Sequence, residues 1–326
     1  MVIPCHNSLR WLPETLQTVS AQTFEDFEVV LVDDGGDDDL AGWVATLGDD
    51  RLRVVRQDNA GVAAARNRGI AEARGELVAL LDSDDLWFPH TLASMVERYD
   101  EAVAESDGDP PVGLVYGWYQ VSDEHGEPVG RVEARRAEGL AWERFVVTNP
   151  VSSSAVLMPT EAVLAVGGFE VNTDRERHPI DVEDWDLWIR MADRYRVAMV
   201  PRVLHLYRRH GDNSSIAVDS LDAAYRRMLA RVFDGQPPRR RFLLPRAVAR
   251  VEMILGWQSL NELRDARRAS AYRRSAVRHH PGARRDVEYW RLGASVAAMA
   301  LLGSTGYDLV RSGAGWIRRA LGLKRS

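Results

Sequence analysis

Four short apolar runs within the first 81 residues, each closed by polar side chains and separated by helical patterns, restrict the fold of this 326-residue chain more than any other feature. Val2–Pro4, Phe27–Val32, Leu52–Arg56 and Leu77–Leu81 are continuous β-rich stretches, as strands buried on both faces of a parallel sheet tend to be. Helical segments near Leu9–Ala21, Asp38–Leu47 and Val62–Ala73 lie between them, the last stopped at Gly75. The alternation predicts an α/β doubly wound, mostly parallel sheet. Ligands bind such sheets beyond the carboxyl ends of the strands. The polar clusters fall there: Cys5-His6-Asn7, Asp33-Asp34-Gly35, Gln57-Asp58-Asn59 and Asp82-Ser83-Asp84-Asp85.

Past residue 100 the pattern changes. Val112–Val121, Val151–Pro159 and Arg196–Arg209 are expected strands, with a hairpin turn at Glu124–Glu127 and a helix at Asp181–Arg194. From Ser220 onward helices are expected, with breaks at Gln236-Pro237-Pro238 and Pro281-Gly282. Charge divides the chain in the same way. Residues 1–220 carry 20 Lys and Arg against 40 Asp and Glu, whereas residues 221–326 carry 22 against 8. The basic part either faces an anionic surface or is a solvated arginine-rich helical face. Leu292–Gly303 is apolar but about half the length that spans a bilayer. It is expected to be a core helix or an interfacial segment making peripheral membrane contact.

A single cysteine, Cys5, excludes an internal disulfide framework and fits a reducing, cytoplasmic compartment. It is expected to be an inert buried thiol. No signal peptide is expected. Met1-Val2-Ile3-Pro4 opens inside an apparent buried strand, so a start codon a few residues upstream is expected. Zinc-ligand spacing, a Walker loop and a serine-nucleophile elbow are all missing from the sequence.

Asp82, Asp84 and Asp85 place three carboxylates within four residues, where they repel one another. A hard divalent cation bound to diphosphate oxygens relieves that repulsion, and all-oxygen ligation favours Mg2+ or Mn2+. The alternative is a solvated acidic turn, or Asp85 as cap of the helix after Pro89. Asp33-Asp34 supplies a second carboxylate pair, suited to accept the N3–H of a pyrimidine base. By itself it is also an ordinary turn.

Longer strings of residues then bear a resemblance. Ile3–Ser8, Gln22-Thr23-Phe24, Phe27–Gly35, Asn59–Ile70, Leu81–Trp87, Gly167-Gly168-Phe169, Val182–Trp188 and Tyr207–His210 resemble the family-2 inverting glycosyltransferases in order and approximate spacing. The resemblance covers about residues 1–215. It implies a GT-A fold there, with residues 216–326 a basic, mainly helical extension. It also implies roles: Pro4, Asn7, Asp33, Asp34, Asp82 and Asn67 around the nucleotide sugar, and Asp84, Asp82 and His210 at the metal. Asp184 would be the catalytic base, with Glu183 and Trp185 near the acceptor. His6 and Gly36 depart from the family pattern, where an aromatic residue and serine are common.

Independently of the resemblance, transfer from a nucleotide sugar needs a base within reach of the acceptor hydroxyl and a stabiliser for the departing diphosphate. Asp184, beside Glu183 in an acidic cleft, suits the first, although both also suit the first turn of a helix. Arg66 and Asn67 have either phosphate or structural partners to serve. With the resemblance, which implies inversion, the expected function is metal-dependent transfer of a sugar, most simply from a UDP-sugar, to a glycan or lipid-linked acceptor in cell-envelope polysaccharide or glycolipid assembly. The site would be cytoplasmic or at the inner membrane face, with no nucleic-acid partner. The rivals are a sugar-nucleotide nucleotidyltransferase, which should carry a glycine-rich basic loop after the first strand, and a non-catalytic nucleotide-sugar-binding scaffold.

Overall fold

A computed structural model describes residues 1–175, 180–211 and 218–320, with side chains except at 131 and 309–320. The chain forms two compact units, Met1–Arg177 with Val182–Asn213, and His178–Asp181 with Ser214–Ser326.

The first unit is built on one twisted sheet. β1 (Val2–Cys5), β2 (Val29–Asp34), β3 (Leu52–Gln57) and β4 (Leu77–Leu80) run parallel in the order β3-β2-β1-β4, connected through α1 (Leu12–Ser20), α2 (Leu40–Ala45) and α3 (Val62–Glu72). Every residue of β1 and β2 is buried, as the continuous apolar runs predict. α1 turns Leu12, Leu16 and Val19 inward at i, i+4 and i+7. Ile3, Leu31, Leu81 and Leu157 in the core are at most 2% exposed, and each such side chain contributes roughly 1.5–3 kcal/mol by burial.

After β4 the chain crosses the acidic loop to β5 (Leu86–Trp87) and α4 (Thr91–Glu105). It then forms β6 (Val112–Ser122), β7 (Pro128–Glu133), α5 (Trp142–Phe145), β8 (Val156–Pro159), α6 (Thr160–Ala165), α7 (Glu183–Arg194) and β9 (Arg196–Arg208). The sheet continues β4-β8-β6-β9-β5, with β7 paired to β6. Six of the nine described strands run one way, and β5, β7 and β8 run against them.

Three local expectations change. The stretch Val151–Pro159 is strand only from Val156, because Ser153–Ala155 forms a 3-10 turn. Serine side chains compete with ladder pairing by bonding locally, and here Ser154 faces the acidic loop. The helix expected from Asp181 begins at Glu183. Asp85 does not cap α4: His90 occupies that position, and Gln22 Oε1 accepts the Leu92 N–H at 3.0 Å. The expected hairpin turn joins β6 to β7, with Asp123 Oδ1 accepting from the N–H groups of His125 and Glu127 at 3.0 Å each.

The second unit is helical: α8 (Val218–Phe233), α9 (Pro238–Arg241), α10 (Leu244–Asn261), α11 (Ala266–His279) and α12 (Val287–Ala320). Ala249, Met253 and Leu260 of α10 pack with Ala269 and Ala276 of α11 and with Tyr289, Leu292 and Met299 of α12. The proline-bearing breaks fall as expected, and a further break follows α10, where Arg264 has φ of 55°. No described helix is long and apolar enough to cross a membrane. α12 is interrupted at Gly303, with φ 69° and ψ −176°, a region open essentially to glycine alone. Gly303→Ala should therefore cost roughly 1–3 kcal/mol, read as a lowered urea midpoint of the helical unit at unchanged slope.

Candidate active site

The parallel strands deliver their polar clusters to one edge, since Cys5 pairs with Asp33 and Asp34 with Gln57 in register. β1 lies between β2 and β4, so Asp33-Asp34 and the acidic loop flank the end of β1. Pro4 is buried within β1, with Val32 as its partner across the ladder. Cys5 is buried, and burial pushes its thiol up to about 12, which leaves it inert.

Asp34 serves the loops. Its Oδ1 accepts from Gln57 Nε2 and the Ala60 N–H, and its Oδ2 from the Gly61 N–H, all at 2.8 Å. These bonds fix the approach to α3. Asp33 accepts from the Gly36 N–H at 3.1 Å and from Arg56 Nη1 at 2.6 Å, and the Arg56 side chain is 61% exposed. Asn7, at φ 49°, accepts the Asp37 N–H through Oδ1 at 2.7 Å. A Cβ on Gly36 would stand 2.8 Å from the Asn7 nitrogen, so the glycine found where serine is common is sterically required. His6 is exposed, with Nδ1 3.1 Å from the Asp34 carbonyl and 3.2 Å from Asn59 Nδ2.

In the acidic loop the three carboxylates have separate surroundings. Asp85 is 1% exposed; Ser154 Oγ donates to Oδ2 at 2.6 Å and the Arg208 N–H to Oδ1 at 2.9 Å. Burial, reinforced by Asp84 and Asp82, holds its carboxyl well above the ordinary aspartate range. Asp84 Oδ2 lies 2.9 Å from His210 Nε2. Burial, then the charge of Asp82, raises the Asp84 carboxyl as well. Asp82 accepts from Arg66 Nη2 at 2.7 Å.

Arg66 extends from α3 across to α7. Its side chain is 5% exposed, and Nη1 donates to Glu183 Oε1 at 2.8 Å while the guanidinium lies 5.3 Å from the Phe169 ring centroid. Asn67 clamps the Phe169 backbone, donating to its carbonyl and accepting its N–H at 2.8 Å each. Glu183 and Asp184 open α7, where the helix dipole favours negative charge. Asp184 Oδ1 accepts the Trp185 N–H at 2.6 Å. Its carboxyl is raised by burial, against the lowering pull of Arg66. Trp185 is 2% exposed and donates through Nε1 to the Phe145 carbonyl at 2.7 Å, so it belongs to the core rather than to a free surface.

Trp11, Arg208 and Ser154 were given no role by the sequence. The His210 ring stacks on Trp11 at 4.8 Å between centroids. Arg208, 1% exposed, donates to the Asp84 and Glu124 carbonyls and to Glu14 Oε2. Only the run Tyr207-Arg208-Arg209-His210 hinted at this. The structure thus brings Asp82, Asp84, His210, Arg66, Glu183 and Asp184 into one connected set. Among the described residues no three His, Cys, Asp or Glu side chains gather as a complete metal shell.

Residues 1–131 match the sequence profile of glycosyl transferase family 2. Residues 1–131, less than half of the chain, are thus similar to family-2 glycosyltransferases. It is 29% identical over 242 residues to glycosyltransferase GlyG of Streptococcus pneumoniae, covering 72% of this chain and 77% of GlyG. A 28% match over 218 residues to an uncharacterised glycosyltransferase of Rickettsia bellii covers 66% of this chain but only 29% of that one. The match therefore spans less than a third of some relatives. Succinoglycan biosynthesis protein ExoO of Rhizobium meliloti is 40% identical over 105 residues, 32% of this chain and 30% of ExoO.

Among solved structures, S. aureus TarS 1–349 superposes at a TM-score of 0.59 and 18% identity, over 96% of this chain and 90% of that one. TarS 1–349 has also been solved with UDP-GlcNAc, at a TM-score of 0.52 and 16% identity over 87% and 90% of the two chains. Mannosyltransferase PcManGT from Pyrobaculum calidifontis, in complex with GDP-Man and Mn2+, superposes at 0.59 and 20% identity over 99% and 87%. These likenesses show the fold of the first unit to be GT-A, as the sequence implies.

The loop-building part of Asp34 is separable from any ligand. Asp34→Ala should destabilise the protein by about 2–3 kcal/mol through three lost charge-assisted bonds. Chemical denaturation without nucleotide present checks this, and an unchanged midpoint would count against it.

Proposed function

We propose that the first unit transfers a sugar from a nucleotide-sugar donor to an acceptor hydroxyl with inversion, Asp184 acting as the base. The observation that carries this reading is the position of Asp184. It sits at the start of α7, one residue from the Glu183–Arg66–Asp82 bridge that ties it to the acidic loop.

The donor half is assigned to the strand ends. Asp33, whose partner Arg56 is solvent-exposed and displaceable, is the better choice to accept an N–H from the base. Asp34 and Asn7 keep the loops that shape its pocket. A UDP-sugar is favoured because a carboxylate matches the uracil N3–H, and TarS offers a UDP-GlcNAc-bound relative of the same fold. Asp82 faces the ribose side. Asn67 is assigned to positioning, since both ends of its amide hold Phe169.

Asp84 and His210 offer a carboxylate oxygen and an imidazole nitrogen 2.9 Å apart, with Asp82 alongside. Two or three protein donors suit Mg2+ or Mn2+, which complete their shells with substrate phosphate oxygens and water. PcManGT was solved with Mn2+. When bound, such an ion supplies positive charge for the departing diphosphate. Burial and, after it, the charge of Asp82 raise the Asp84 carboxyl, so a cation there offsets an existing cost.

Asp184 has to accept the proton of the acceptor hydroxyl as the new bond forms at the anomeric carbon. A raised carboxyl pKa makes it, once deprotonated, a stronger base than an ordinary aspartate. Arg66 keeps it from rising further. Glu183 is assigned to holding Arg66 beside the acceptor side of Asp184, and Trp185, packed in the core, to fixing the start of α7. The biological setting that fits is assembly of a polysaccharide or glycolipid at the cytoplasmic membrane face, in line with relatives such as ExoO.

Two outcomes are expected. Asp184→Asn should cut transfer by about 10²–10⁴-fold while leaving nucleotide affinity intact. The parent's acid limb should lie above the ordinary aspartate range near 4, because the base must be deprotonated and its pKa is raised. The same shift stabilises the fold at low pH and is lost as pH rises through it. At neutral pH the Asn variant should therefore melt no lower than the parent. Retained turnover would refute the assignment. Separately, thermal shift should rise with UDP plus Mn2+ and not with ADP plus Mn2+, and Asp84→Ala should abolish the rise. Equal shifts with both nucleotides would overturn the pyrimidine assignment.

A further inference from the structure

The outward face of α12 before Gly303 is apolar. Val287, Trp290, Ala294, Ala297 and Leu301 recur at helical spacing and share one stripe. All five are exposed, Val287 by 65%, Trp290 by 62% and Leu301 by 83%. The stripe runs about 21 Å at 1.5 Å per residue. The opposite face, with Tyr289, Leu292 and Met299, packs into the core of the helical unit. A helix apolar on two faces, of which its own unit covers one, presents the other to something outside it.

Charge selects the occupant. Residues 264–291 carry nine arginines against Asp265, Asp286 and Glu288. Arg274, Arg278, Arg284, Arg285 and Arg291 are all exposed. Trp290 Nε1 donates to the Arg284 carbonyl at 2.8 Å, which fixes the indole beside Arg284 and Arg285. Arg291 is paired with Glu288 on the same helix, so Arg284 and Arg285 lead. A second copy of this chain would meet the stripe with like charge. A layer of anionic lipid headgroups is attracted by the arginines and accepts apolar side chains beneath them. Tryptophan, apolar with one polar N–H, suits that boundary. No described helix is long and apolar enough to cross a bilayer, and an amphipathic helix of this kind suits the plane of its surface.

We propose that α12 docks in the plane of a membrane surface rich in anionic lipid, Trp290 and Leu301 entering the headgroup layer while Arg284 and Arg285 meet lipid phosphates. The inference concerns where the protein resides and stands apart from the transferase assignment.

Flotation with vesicles of phosphatidylcholine alone, and of phosphatidylcholine with phosphatidylglycerol, tests it on the full chain. Binding should require phosphatidylglycerol and weaken in high salt. Ala297→Glu combined with Leu301→Glu, both at exposed positions, should reduce binding about ten-fold or more with an unchanged melting curve. Equal flotation of parent and variant, or equal binding to both vesicle types, would overturn the proposal. So would a concentration-dependent dimer in sedimentation that the double substitution abolishes, since the stripe would then be a contact between copies. UDP-sugar hydrolysis in solution is measured on both proteins. Activity equal in the two, whatever the flotation result, leaves the transferase reading intact; hydrolysis missing from the parent counts against that reading alone.

Discussion

The site depends on a buried guanidinium. Taking Arg66 out of water costs several kcal/mol, and isolated it would not be tolerated at 5% exposure. The cost is offset by Asp82 at 2.7 Å, Glu183 at 2.8 Å and the face of Phe169. Those partners come from three places far apart in the sequence: the loop after β4, the first turn of α7, and the turn before the residues that lead to it. Arg66 touches all three at once. Asn67, one residue on, fixes Phe169 through its backbone. Two adjacent side chains on α3 thus determine the distance between the acidic loop and Asp184.

That arrangement explains how so many carboxylates coexist at one edge. Each has a different means of bearing its charge or shedding it. Asp34 is satisfied by two backbone N–H groups and an amide, and Asp33 by Arg56 and a backbone N–H. Asp82 and Glu183 share Arg66. Asp85, fully buried and near two like charges, is driven toward its protonated form. Asp84 and Asp184 are the two left with a raised carboxyl pKa, Asp84 bonded to His210 and Asp184 to the Trp185 N–H. Perturbed groups in a cleft mark functional sites more often than chance, and these two are the ones assigned to metal and to proton transfer.

The sequence carried the parallel half of the fold because burial on both faces leaves a signature in each strand separately. Val29–Asp34 announces itself without reference to anything distant. The second half is less legible, since its strands owe their partners to long-range pairing. β5 is two residues long and exists because Leu86 and Trp87 meet Leu206 and His205. Val151–Pro159 looks like one strand in the sequence, yet its first half turns at Ser153–Ala155 and Ser154 bonds Asp82 and Asp85. Which residues would matter was visible in strings such as Asp82–Asp85; what each one touches was not. Trp185 and Asn67 show the limit: Trp185 bonds the Phe145 carbonyl and Asn67 the Phe169 backbone, contacts that a motif does not record, because it gives position along the chain but not the direction of a side chain.

His210 shows how the two halves are brought into register. It follows β9 by two residues, and a histidine so near a strand end would ordinarily sample many positions. Here the preceding Arg208 is buried and anchored at four points: Asp85 through its N–H, and Asp84, Glu124 and Glu14 through the guanidinium. The same guanidinium lies 4.9 Å from the Trp11 centroid, and Trp11 also stacks on the His210 ring. Arg208 therefore grips the acidic loop by its main chain at Asp84 while His210 approaches the side chain of the same residue. Loss of the Asp85 carboxylate would release the Arg208 N–H and Ser154 together, so a group that touches no substrate sets the spacing of the pair that would hold the metal. Asp85 is too buried to be a ligand itself; its carboxyl is the joint between the loop after β4, Ser154 before β8 and Arg208 at the end of β9.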